Sequence, residues 1–436
     1  MKQILAIVLS LLWFSAVNAQ TLRIYHIDVD QGDATLIVSP SGQTLLIDSG
    51  KNGHGERLRA AMQTAGVTQI DHFVATHYHE DHYGGIDDLT QSPAITIVNA
   101  YDRGDKVFLP ASRTESSTYM GYDTAVGSRA IPLTRGMQIQ FDPLVRVTCI
   151  SAGGVVLGEH DPPQHAGDEN DMSISLLVQF GNFHYFVGGD VEEPTEQKIA
   201  NRDLVMDIDV YQANHHGADN GSTEDFLRDL QPNVIVISNG SNRTYRHPRG
   251  TVLGRMRQLD SDPSIFQTNK YHNANNDDGG NIPDPFIADL ESIDSDGTIL
   301  LTVNRLSGTY VVSYRTETHT FSIKNRIEGS VVIESILPNP TNGPDRIFEE
   351  VTLRNNGALD INMDGWFLRD ANNRVWALSE LGPMAPGSSA TIRRNAMPMS
   401  LNNNGDTIIL IDPSSSERDS FTYFSSQANI RIQTGH

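Results

Sequence analysis

A single cysteine stands among 436 residues. Cys149 lies within the strand-like stretch VRVTCIS, so the chain can form no intrachain disulfide, and the thiol reads as buried and inert. Metal binding or packing must supply what cross-links would. Bases are scarce as well: 32 against 54 acids give a net charge of -22, which argues against broad electrostatic capture of nucleic acid or anionic lipid. A phosphate substrate would need local cations, and bound metals are an obvious source; solubility in a salty medium is the plain alternative reading of the acidity. Long apolar runs are the third shortage. Only Ile4 to Phe14 qualifies, and it is shorter than the roughly 20 residues a membrane span needs. Lys2 precedes it, and Val17-Asn18-Ala19 follows as a small-x-small cleavage site. Residues 1–19 therefore read as a removable secretory signal, with an uncleaved anchor as the alternative. The expectation is a secreted or periplasmic chain with no transmembrane segment in its mature part.

From Thr21 the text alternates apolar and polar residues through LRIYHIDVD and ATLIVSPSGQTLLIDSG, with Pro40-Ser41-Gly42 as a hairpin turn. The helical pattern GERLRAAMQTAG follows, then strand-like and helix-like stretches in alternation as far as RGTVLGRMRQL. This order predicts a layered α/β domain over residues 20–315, sheets inside and helices outside. Residues 104–135 and 158–171 read as surface loops framing a site. Residues 316–326 read as a linker. From Ile327 short β runs and turns replace the helical periods, predicting an all-β, Ig-like sandwich over 327–436. This tail holds 13 acids and 8 bases, so most of the acidity belongs to the first domain.

Chemistry is concentrated in ATHYHEDHYGG, which follows the apolar run HFV. In a loop leaving a strand, alternate residues point the same way, so His77 and His79 can share one metal while Asp81 and His82 face a second. Imidazole and carboxylate are donors that zinc and manganese accept. A histidine-rich surface loop is the bland alternative, but the preceding strand and the pair Gly84-Gly85 supply a context that an accidental cluster lacks.

HYHEDHYGG resembles the HxHxDH signature of the metallo-β-lactamase superfamily. Four further stretches, HIDVDQGDATLIVSPSGQTLLIDSG, NDMSISLLVQFGNFHYFVGGD, DVYQANHHGADNGS and SNRTYRHPRG, are similar to the ComEC-like competence group within it. The resemblance covers about residues 21–315 and implies an αββα sandwich with two divalent metal ions, zinc first and manganese second. It implies His77, His79, Asp81 and His82 as ligands and Asp190 as a carboxylate shared by both metals. His215 or His216 would join them, with His215 assigned as the ligand. His216 or His247 would protonate a leaving group, and Asp81 would orient the attacking water as well as ligate; a supporting role behind the ligands stays open for each histidine. Asn170 and Asp171 stand where the superfamily often has a histidine. Asp30 replaces a glycine of the competence pattern and adds a carboxylate, while Asp28, Asp33 and Asp48 would form turns or orient the histidine loop.

The tail resembles the lamin tail domain, with Glu350, Asn355, Gly365, Trp366, Leu368, Asp370 and Asp406 carrying the match. That family implies a non-catalytic interaction module, its partner here unknown, and Trp366 and Trp376 read as core aromatics. Two acidic stretches, NANNDDGGN and the DSDG at Asp294, could hold calcium but lack the closing glutamate of an EF-hand, and solvated turns are the plainer reading. Together these features predict a metal-dependent phosphodiesterase acting on nucleic acid, most simply a nuclease on DNA. A lactone, lactam or carboxylic ester hydrolase of the same superfamily is the runner-up, and a non-enzymatic extracellular binding protein the third reading.

Overall fold

A computed structural model describes residues 21–435 apart from 92, 105, 107–108, 160–166, 241–243, 273–277, 292–296, 325–330, 357–360, 386 and 414–416. The secretory-signal reading and the centres of both acidic stretches lie outside the described residues.

Among the described residues two nine-stranded sheets form the first domain. In the first sheet the opening strand Thr21–His26 lies between Thr35–Val38 and the late strand Ile299–Asn304, both antiparallel to it. The expected hairpin is present: Thr35–Val38 pairs with Thr44–Ile47, and Gly42 in the turn has φ 90°. The sheet then turns parallel through Gln69–Val74 and Thr96–Asp102. In the second sheet Phe183–Val187, Val210–Gln212, Val234–Ile237 and Ser264–Asn269 run parallel. The inner faces meet over a core that includes Ile24, Ile37, Val74, Val178, Tyr185 and Phe266. Cys149 is fully buried there, and burial pushes its thiol pKa up, as an inert thiol requires.

Each outer face carries a helical layer. Gly55–Ala65 buries Leu58, Ala61 and Met62 on the first sheet and ends at Gly66, whose left-handed φ of 73° lets its N–H close on Gln63 and Met62 carbonyls. Glu193–Ala200, Glu224–Leu230 and Gly250–Met256 cover the second sheet through Ile199, Phe226, Leu227 and Leu253. The layers are thus α, β, β, α.

Two expectations need correction. Residues 316–326 are largely not a linker: Glu317–Ser322 is a further strand, antiparallel to Thr309–Tyr314, and Phe321 stacks on Tyr310 at 5.3 Å. The alternation in ETHTFS is the available signal, and its partner is the preceding hairpin strand. Likewise, 104–135 is not simply a loop. Ser117–Ala125 is a helix capped by Ser116, whose hydroxyl accepts from Tyr119 N at 3.1 Å. Its Gly121 and aromatic residues hide the helical period; Tyr119 and Tyr122 face inward against Tyr78 and Tyr83.

The tail is a β-sandwich. In one sheet Glu350–Asn355 lies between Val331–Leu337 and Ser389–Arg393, and in the other Asp406–Ile411 lies between Phe367–Asp370 and Glu417–Tyr423. Trp376 is fully buried and Trp366 nearly so, as core aromatics.

Candidate metal centre

The strands Gln69–Val74, Phe183–Val187, Val210–Gln212 and Val234–Ile237 finish at one edge of the sandwich, where the loops that follow them meet. Open parallel sheets place ligands at the carboxyl ends of their strands for this reason. Those loops deliver His77 to His82, Asp190, His215 and His216, and His247.

Two donor groups share Asp190. His77, His79 and Asp190 form one; Asp33, His82, Asp190 and His216 form the other, and within each group the donor atoms lie within 4.8 Å of one another. His77 Nε2 is 3.8 Å from Asp190 Oδ2, and His82 Nε2 is 3.2 Å from Asp190 Oδ1. His216 Nε2 lies 3.5 Å from the same Oδ1 and 3.8 Å from Asp81 Oδ2. His215 stands at the open side, its Nε2 3.7 Å from Asp190 Oδ2 and its Nδ1 3.4 Å from Glu192.

Groups behind the donors aim them. Asp48 accepts from Thr76 N and Thr76 Oγ1, each at 2.8 Å, and takes His82 Nδ1 at 2.7 Å, so that Nε2 faces Asp190. This is the orienting role expected of Asp48. His216 Nδ1 donates to Ser238 O at 3.0 Å, which likewise frees Nε2 for the centre. Asp190 N donates to Ser173 Oγ at 3.1 Å. Asp28 forms turns as expected, accepting from Asp30 N at 2.9 Å and Gly297 N at 3.0 Å, and it pairs with Arg57 at 2.9 Å. Asp30 packs its carboxylate against Gly240 and is not in either donor group.

Glycine is required where the loops cross. A Cβ on Gly188 would stand 2.2 Å from Asn214 Oδ1, and one on Gly217 2.8 Å from Pro248 Cβ at a φ of 78°. His215 and His216 both hold left-handed φ angles, of 50° and 54°. Two adjacent side chains in that region are strained and persist only where the surroundings over-determine them.

The donor set fits divalent metal. Asp33, Asp190, His82 and His216 are buried; His216 Nε2 and both Asp33 oxygens have no hydrogen-bond partner among the described residues, and His82 Nε2 and Asp190 Oδ1 meet only each other, at 3.2 Å. Buried groups left this way are costly unless something else satisfies them. Burial favours a neutral Asp190, but His82, His216 and His215 outweigh it and hold its pKa well below the usual carboxylate range. Burial also opposes charge on His82, yet Asp190 and Asp48 hold its pKa well above normal. The cluster's acids thus draw positive charge inward. Oxygen and imidazole donors suit zinc or manganese without choosing between them.

His216 departs from its expected place. The sequence offers it as an acid beside His247, with His215 as the ligand; the Ser238 bond turns it into the second donor group, and His215 stays outside both. Asp33, expected to form a turn, joins the donors because Asp33 N is tied to Asp81 O at 3.1 Å. His247 lies behind, its ring 5.4 Å from His215 and 6.0 Å from His216. Burial and these two neighbours push its pKa down to about 3, so it is neutral at ordinary pH. Sequence reasoning misses Glu192, which holds Asn170 Nδ2 at 3.2 Å and Asn220 Nδ2 at 2.6 Å beside His215. Its place two residues after Asp190 is the only signal.

Residues 27–239 match the metallo-beta-lactamase superfamily, and residues 325–425 match the lamin tail domain. The chain carries a metallo-beta-lactamase domain followed by a lamin tail domain. The metallo-beta-lactamase part is 26% identical over 244 residues to ComE operon protein 3 of Bacillus subtilis, covering 52% of this chain and 29% of that one. It is 26% identical over 263 residues to Recombination protein 2 of Haemophilus influenzae, covering 59% and 29%. The chain therefore spans about three-tenths of the length of these curated relatives. Among solved structures it aligns with a beta-lactamase from Chitinophaga pinensis at 21% identity, 40% of this chain, 63% of that chain and a TM-score of 0.26. Among the described residues no helix is long and apolar enough to cross a membrane.

Proposed function

We propose that the chain is a metal-dependent phosphodiesterase acting on DNA. The observation that carries this reading is the pair of donor groups joined at Asp190. Two divalent cations held there would polarise a phosphoryl oxygen and activate water for in-line displacement. His77 and His79 would hold one cation with Asp190; His82, His216 and Asp33 would hold the other with it. Asp81, 20% exposed, faces the centre beside His216 and can accept a proton from an attacking water. His247, neutral at rest, keeps one ring proton and can lend it to a leaving oxygen as a hydrogen bond. Asp48 and the Ser238 carbonyl keep the imidazoles aimed without reorganisation, as preorganised sites require.

Two things favour phosphodiesters. The relatives bear names tied to recombination and competence. Arg113 acts electrostatically on both His79 and Tyr83 and leaves its Nη1 without a partner, so a cation stands ready for a phosphate beside the first donor group. Export rests on residues 1–19, which have the pattern of a secretory signal.

The test is cleavage of supercoiled plasmid by the chelated chain with zinc, manganese or magnesium restored, beside Asp190→Ala. Metal-dependent nicking that the substitution abolishes is the expected result. Undiminished cleavage by Asp190→Ala would overturn the mechanism. Turnover of a lactone or lactam, with no nicking under any metal, would overturn the substrate.

A further inference from the structure

At the seam between the domains, near the start of the strand Val145–Ala152, lies a cluster of arginines that the metal chemistry does not use. The cluster stands at the other end of this strand from Ser151, which bonds Ser175 and reaches Ser173 beneath the donors; five residues of strand separate the two ends by roughly 17 Å. Arg146, Arg305 and Arg354 line one cavity there together with Asn356 of the tail. Arg146 and Arg354 also line the adjoining recess of about 390 Å³.

The charges do not balance locally. Arg146 is 5% exposed, yet its nearest carboxylate is Glu334 Oε1 at 3.5 Å. Arg354 approaches the same oxygen at 3.5 Å. Charge-assisted pairs normally close to about 2.8 Å, so one carboxylate oxygen is shared loosely between two guanidinium groups. Arg146 Nη2 also meets Asn356 Oδ1 at 3.4 Å, while Arg146 Nε, Arg146 Nη1 and Arg354 Nε are buried with no hydrogen-bond partner among the described residues. Asp419 exerts a further pull on Arg146, but its Oδ2 accepts the Ile333 N–H at 2.6 Å. Asp142, at the rim of the recess, is occupied by Ser41 N and Leu144 N.

A guanidinium buried with two nitrogens unpaired is costly. The planar fork of arginine fits a tetrahedral oxyanion with two parallel N–H bonds. We propose that this seam is a binding site for a phosphate- or sulfate-type oxyanion, with Arg146 as its buried donor, the half-buried Arg354 beside it and Arg305 at its edge. Because Arg146 belongs to the metallo-beta-lactamase domain and Arg354 to the lamin tail domain, the anion ties the two together.

The experiment is calorimetric titration of the full, chelated chain with sodium sulfate, with sodium chloride at matched ionic strength as the control. Saturable binding of one sulfate per chain, accompanied by a rise in Tm that chloride does not give, is expected. Arg146→Gln and Arg305→Gln should each weaken it by about tenfold or more. Arg305 is only half-buried, so its variant tests the site even if Arg146→Gln fails to fold. Asp190→Ala should bind sulfate unchanged, which separates this site from the metal centre. Titration with glycerol phosphate distinguishes the source: binding tighter than inorganic phosphate assigns the site to an esterified group, and weaker binding to a free ion. No saturable binding, loss of binding in Asp190→Ala, or equal binding by the parent and both arginine variants, which would mean an adventitious ion only, overturns the proposal.

Discussion

His26 should make the first domain acid-sensitive in a calculable way. It ends the opening strand fully buried and lies edge-on to Tyr185 at 5.7 Å. Burial drives its pKa from 6.5 down to about 3, against an upward pull from Gln212. The folded pKa is below the unfolded one, so as pH falls the unfolded chain takes up the proton first. Stability from the neutral imidazole is whole above the unfolded pKa and drains away as pH falls from there toward the folded value. Each pH unit in that window costs about 1.4 kcal/mol, so the loss between about pH 7 and about pH 5 is ~2 kcal/mol. His26→Phe keeps a ring against Tyr185 and removes the proton site; any repacking cost is independent of pH and cancels in the comparison. The assay is urea unfolding of the chelated chain at both pH values, followed by circular dichroism, with fluorescence of Trp366 and Trp376 marking the tail's own transition. The parent should lose ~2 kcal/mol more than the variant over this range. Parallel pH profiles for the two proteins would refute the reasoning.

Asp48→Asn removes the acceptor that aims His82 and should lower metal affinity by about 10- to 100-fold, read by competition with a chromogenic chelator. Gly188→Ala would force a Cβ to 2.2 Å from Asn214 Oδ1, while Asn214 is held through Nδ2 to Glu196 at 2.8 Å. A loss of about 1–3 kcal/mol is expected, seen as a lower Tm of the first domain. Arg113→Gln should raise KM for a phosphodiester by about tenfold with little change in kcat, in steady-state cleavage assays. Glu349 is buried in the tail, and burial raises its pKa to about 7 from 4.5. Its folded pKa is above the unfolded one, so the tail should lose stability as pH rises between those values, and Glu349→Gln should flatten that slope in calorimetry.

Residues that act through local pattern are legible in the amino-acid sequence alone. In HYHEDHYGG spacing picks out His77, His79 and His82, although Asp81, expected to ligate as well, stands outside both donor groups; the hairpin about Gly42 and the helix ending at Gly66 declare themselves by turn and cap chemistry. What stays hidden depends on contacts distant in sequence. Nothing near His216 tells that the Ser238 carbonyl will claim its Nδ1, and so the division of labour among His215, His216 and His247 cannot be read from spacing. Asp33 joins the donors only because its loop is tied to the backbone of Asp81. The strand Glu317–Ser322 escapes notice because polar alternation, without a partner in view, reads equally well as a bridge between domains. Arg146 gives no sign at all, since its neighbours come from the other domain.

The opening strand Thr21–His26 finds its place only between its hairpin neighbour and Ile299–Asn304. Asp28 is likewise tied to Asn269 and Gly297. The first sheet therefore cannot close until nearly three hundred residues have been synthesised. This is a topology of long sequence separations, which orders folding late and slowly. A fragment cut at 27–239 would lose the opening strand together with its late partner and leave the hairpin's edge bare. The turn at Asp28, five residues before the donor Asp33, is therefore completed only by residues as late as Gly297, and a nascent chain carries its histidine loop long before that stretch exists.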